Sequence, residues 1–114
     1  MSTWVYIRGW LEFCGQKAEA ERIIRRRGSS GWTFPEGGWL DAVCYARAVR
    51  SQYSDDVLDQ VREIAALPAS DEDNDRVRGL FLVFHEEGRQ TEWQIRDGEV
   101  QVGEAPSRYD YLWQ

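Results

Sequence analysis

The stretch WLDAVCYARAV, residues 39–49, decides the fold. Read as a strand, it splits into two faces. Leu40, Ala42, Cys44, Ala46 and Ala48 make a small-residue face, suited to close packing beneath helices. Asp41, Val43, Tyr45, Arg47 and Val49 make the other. The alanines would equally allow a helix. What precedes the stretch favours the strand: WTF (32–34) lies just before Pro35-Glu36-Gly37-Gly38, a four-residue turn that would fold the two segments into a hairpin.

Upstream, WVYIRGWLEF (4–13) alternates. Val5, Ile7, Leu11 and Phe13 point one way, and Trp4, Tyr6, Arg8, Trp10 and Glu12 the other. Residues 16–27 are rich in helix formers, with Ala20, Ile23 and Ile24 on one side. Acidic Glu19 and Glu21 come early, Arg25, Arg26 and Arg27 late, and Gly28 follows, an order that complements the helix dipole and supplies a C-terminal glycine. Downstream, Ser54 is placed to cap a helix over 55–67, with Asp55 and Asp56 in its first turn. Val57, Leu58, Val61, Ile64 and Ala65 form its apolar stripe, and Leu67-Pro68 ends it. ASDEDNDR (69–76) reads as a solvated acidic loop, and GLFLVF (79–84) as a central strand. TEWQIR (91–96), Asp97-Gly98 and EVQV (99–102) make a second hairpin. The expected fold is α+β: a ferredoxin-like split βαβ antiparallel sheet, two helices on one face and an extra C-terminal hairpin, in a single domain over 1–114.

A length of 114 residues suits one domain, and a hydrophobic fraction of 42% supplies one core. Residues 1–50 hold 8 basic and 5 acidic side chains, +3, whereas residues 51–114 hold 6 and 15, −9, so the chain carries −6. An acidic chain repels phosphate backbones, which argues against nucleic acid and for a basic protein partner. No apolar run reaches the ~20 residues of a membrane span. The opening residues show neither a basic segment before an apolar run nor a small-residue cleavage site. Cys14 and Cys44 lie 30 positions apart without a CxxC spacing; one disulfide would be possible, but two buried free thiols are expected. These features describe a soluble, cytoplasmic protein.

The segment RRRGSSGW (25–32) has the look of a phosphate cradle, but phosphate loops use a helix N-terminus and this one follows a C-terminus. It also lacks the Gly-Lys-Ser/Thr ending of a P-loop. His85 is the only histidine, and the adjacent Glu86 and Glu87 would alternate across a strand rather than converge with it, so no metal site is expected. The carboxylates of Asp71, Glu72, Asp73 and Asp75 lack the central glycine and terminal glutamate of a calcium loop. Pairing of His85 with either cysteine is the remaining nucleophilic arrangement. Neither a catalytic residue nor a cofactor is expected.

Six tryptophans and five tyrosines exceed what one small core needs. A sheet displaying aromatics resembles the RNA-recognition motif, but that family's basic-Gly-aromatic-Gly/Ala-Phe signature is absent, and RGLFLVF (78–84) is a faint echo of it. The rings either pack beneath the C-terminal hairpin and tail or anchor a protein partner. The opening WVYIRGWLEF, together with HEEG (85–88) and TEWQIRDGEV (91–100), resembles the small cytoplasmic immunity proteins of bacterial polymorphic toxin systems, over about a third of the chain. That resemblance implies an acidic single-domain binder, encoded beside a toxin, which masks the toxin's active site. The expected partner-contact residues are Trp4, Tyr6, Trp10 and Trp93 as aromatic anchors, with Asp71, Glu72, Asp73, Asp75, Glu86 and Glu87 as an acidic rim. The alternatives are a small-molecule-binding regulatory domain of ferredoxin-like type, or an uncharacterised enzyme. An open sheet face would also allow a homodimer.

Overall fold

The structure, a computed structural model, describes residues 3–36, 41–70 and 73–113. It is α+β, with a six-stranded antiparallel sheet. In chain order the elements are β1 (Trp4–Glu12), α1 (Lys17–Arg27), β2 (Trp32–Thr33), β3 (Ala42–Arg50), α2 (Ser54–Ala65), β4 (Arg78–His85), β5 (Gln90–Arg96) and β6 (Glu99–Glu104). A 3₁₀ turn at Ser51–Tyr53 leads into α2, and a 3₁₀ segment at Ser107–Trp113 follows β6. The strand order is β2-β3-β1-β4-β5-β6. The connection through α1 therefore skips over β3, and that through α2 skips over β1.

Residues 42–50 are a strand because their pattern of two matches the neighbour it must pair with. Val49 pairs with Val5, Tyr45 with Gly9 and Val43 with Leu11, so the large side chains of both strands share one face. On that face Val5, Ile7, Leu11, Val43, Tyr45, Val49, Phe81, Val83, Trp93 and Ile95 form one core with Ala20 and Ile24 of α1 and Val57, Val61, Ile64 and Ala65 of α2. The small-residue face of β3 was expected beneath the helices, and here the structure corrects the reading: Cys44, Ala46 and Ala48 are exposed on the opposite side. Burying a valine contributes about 1.5–3 kcal/mol, more than an alanine methyl can offer, so the larger residues take the core. Cys44 is consequently exposed and Cys14 half-buried, both free thiols, rather than two buried ones.

Gly9 leaves room for the centre of this core. A Cβ there would lie 2.5 Å from the Phe81 ring and 2.5 Å from the Leu80 carbonyl oxygen. Above it Trp32 meets Tyr45 edge-on at 4.7 Å, and Trp93 stacks on Phe81 at 5.5 Å. Part of the aromatic surplus is thus core. Among the described residues Gln60 is the buried polar one, accepting from Trp32 Nε1 at 3.2 Å and donating to the Gly28 carbonyl at 2.9 Å.

Helix ends differ in detail from expectation. Gly28 closes α1 with φ 124°, its N–H reaching the Ile24 carbonyl. Ser54 does not cap α2: its hydroxyl donates back to the Ser51 carbonyl at 2.9 Å, because the 3₁₀ turn already leads the chain into the helix. α2 ends at Ala65, ahead of Leu67, whose helical conformation Pro68 disfavours. Asp97 and Gly98 both have positive φ, 55° and 79°, as a two-residue type I′ hairpin requires. The turn residues Gly37 and Gly38, with Trp39 and Leu40, lie outside the described residues.

Candidate functional site

The helices cover one face of the sheet, and the other face carries the surface of interest. Register places Tyr6 beside Ala48 and Phe84, Arg8 beside Ala46 and Leu82, and Trp10 beside Cys44 and Leu80. A recess of about 220 Å³ lies between Tyr6, Arg8, Ala46, Ala48 and Trp113, and a second of about 330 Å³ between Trp10, Glu12, Arg78 and Leu80.

The C-terminal segment crosses one part of this face. Trp113 stacks on Phe84 at 4.9 Å, the Arg8 guanidinium lies 3.9 Å over the Trp113 ring, and Arg8 Nη2 donates to the Leu112 carbonyl at 3.2 Å. Tyr6 stays 38% exposed and Trp10 44% exposed. The tail thus packs on Phe84 and Arg8, while Trp10 stands clear of it. Trp113 and Arg8 were not among the expected contact residues. Their signal was the aromatic run that ends the chain.

Charge gathers near the Trp10 end. Glu12 accepts from Arg78 Nε at 2.9 Å, and Asp41 accepts from the Gly15 N–H at 2.9 Å. Burial pushes the Cys14 thiol's pKa up; Arg78 opposes this, while Asp75, Glu12 and Asp41 add to it. Those three carboxylates thus sit close enough to one thiol to be felt together. Asp73 is exposed in the same α2–β4 loop, and Asp71 and Glu72 lie outside the described residues.

The other expected contact residues lie elsewhere. Trp4 is six residues from Trp10 along β1, about 20 Å. Its ring lies under the Arg50 guanidinium at 4.1 Å, and its backbone N–H is held by Glu86 Oε2 at 2.8 Å. Glu86 is thereby committed to the fold. Glu87 is exposed in the β4–β5 turn, 3.8 Å from Arg89 Nε. Trp93 corrects the reading outright: it is 4% exposed on the helix side, because pairing with Phe81 turns it into the core, and no partner can reach it there.

His85 lies at the Trp4 end. Its Nδ1 is 3.3 Å from Arg89 Nη2 and its Nε2 is 3.4 Å from Thr91 Oγ1. Burial pushes its pKa down, the Arg89 cation pushes it further, and Glu87 opposes both. Cys44 pairs with Trp10 and His85 with Val5, five residues apart along β1 or about 17 Å, too far for nucleophile and base to meet. Among the described residues no three His, Cys, Asp or Glu side chains are grouped to hold a metal ion, and no helix is long and apolar enough to cross a membrane. Comparison with protein families, with characterised proteins and with solved structures finds no match.

Proposed function

We propose that this chain is a protein-binding module of the immunity type, which binds a basic bacterial toxin domain in the cytoplasm and neutralises it. The open sheet face is the contact surface and Trp10 its anchor. One observation carries the reading: a 44% exposed tryptophan stands beside Cys44 and Leu80, with Glu12 lining the same recess. Ordinary surfaces leave tryptophan half-exposed at a cost, whereas interface centres favour it. Glu12, Asp41, Asp73 and Asp75, with the −9 of residues 51–114, supply attraction to a basic partner. We also read the first four strands and both helices as a ferredoxin-like core, which the order β2-β3-β1-β4 supports, with β5 and β6 as the extension.

The test is co-expression with the C-terminal domain of the protein encoded beside this chain. The wild type should protect the cell and co-purify with that domain. Trp10→Ala should fold normally and lose protection. Absence of a complex, or full protection by Trp10→Ala, contradicts the proposal.

A further inference from the structure

On the far edge of β3 the sign of the surface reverses. A cleft of about 430 Å³ opens between the end of α1, the second half of β3 and the start of α2, lined by Arg27, Arg47 and Arg50 with Trp4, Tyr53 and Asp56. Three arginines and one aspartate thus line it, in a chain of net charge −6. Several exposed arginines elsewhere meet carboxylates: Arg22 meets Glu19, Arg25 meets Glu21, Arg26 meets Glu63 and Arg78 meets Glu12. Arg27 and Arg47 have no ion-pair partner among the described residues.

The backbone adds a donor. β2 pairs with Tyr45 and Cys44 of β3, and its pairing ends before Ala48. The Ala46 N–H points outward to the Gly31 carbonyl, and Ser51 N–H points inward to Thr3. Strand alternation therefore sends the Ala48 N–H outward, past the end of β2 and into the cleft. On the α1 side, the Gly28 carbonyl, which would repel an anion, is already taken by Gln60 Nε2.

We infer that this cleft binds a small organic anion: a phosphate or carboxylate group carried on a planar or apolar body. Guanidinium groups and an outward amide suit the oxygens. Trp4, Tyr53, Val49 and Val57 suit the body, and the volume lies in the ~300–1,000 Å³ range of small-molecule sites. The arginines that close α1 thus meet an anion through their side chains, not through a helix N-terminus. The inference is independent of the protein-contact face.

Titration of the intact protein with phenyl phosphate, inorganic phosphate and benzoate, followed by amide chemical shifts and calorimetry, tests this. Phenyl phosphate should bind saturably and shift the Ala48 amide and the amides of residues 27–30. The double variant Arg27→Gln/Arg47→Gln should bind at least tenfold more weakly with an unchanged melting temperature. If the pair perturbs folding, each exposed arginine is replaced singly. Trp10→Ala should leave this binding intact, which separates it from protein recognition. Phosphate tighter than benzoate identifies a phosphate ligand, and the reverse identifies a carboxylate. No saturable binding of any of the three, or equal affinity in the arginine variants, overturns the inference.

Discussion

Replacing Trp93 by Ala removes a buried ring stacked on Phe81 at 5.5 Å. The expected loss is ~3–5 kcal/mol of stability in urea unfolding. Trp10→Ala, on the exposed face, should change stability by less than about 0.5 kcal/mol yet cost ~2 kcal/mol or more in partner affinity. In β5 the pattern of two sets Trp93 and Ile95 against Glu92, Gln94 and Arg96, so alternation alone marked the side of Trp93 as the one to bury. In β3 it did not, because small residues alternate there with a mixed set of Asp41, Val43, Arg47 and Val49. Which face is buried depends on the side chains across the sheet, and these are known only once register is known. His85 gives a second test at this scale. Its folded pKa lies below the ordinary 6.5, so between the two values the unfolded chain holds more protons than the folded one. Stability is therefore full above pH 6.5 and falls as pH drops below it, in a window above the titration of ordinary carboxylates near ~4. His85→Gln should flatten that slope in equilibrium unfolding measured between pH 7 and about 5. An unchanged slope would contradict the assignment.

The C-terminal 3₁₀ segment is the element whose role the sequence left open. Its aromatics were visible, but its position depends on β6 delivering the chain to the open face, a long-range matter that local pattern does not encode. Trp113 stacks on Phe84 and carries Arg8 above it, two contacts of about 0.5–1.5 kcal/mol and 0.5–1 kcal/mol. Trp113→Ala should lower stability by ~1–2 kcal/mol and expose Phe84, read by thermal unfolding and by increased binding of a hydrophobic dye. No loss of stability would mean the segment does not rest on the sheet in solution. By contrast α1, α2 and β1 were legible from sequence almost to the residue, because their apolar periods run long enough to define a single face. The Asp97-Gly98 turn was legible because its φ values admit few residues.

Across the whole molecule, charge and shape differ between the two sides. The helix side holds the core and the arginine-lined cleft at its edge. The open side holds Trp10, its recesses and the nearby carboxylates. Net charge was readable from composition, but its division was not. Arginines from α1 and β3, about 20 positions apart in sequence, meet in one cleft only through the fold. The central claim, recognition of a basic protein through the Trp10 face, is tested most directly by association and dissociation kinetics. The partner is the C-terminal domain encoded beside this chain, and rates are measured at low and high salt for wild type, Trp10→Ala and Asp73→Asn/Asp75→Asn. The account predicts that salt and the loss of the two aspartates slow association, while Trp10→Ala speeds dissociation by about 30-fold or more, the rate equivalent of ~2 kcal/mol. Association that ignores ionic strength, together with a Trp10→Ala dissociation rate equal to wild type, would contradict it.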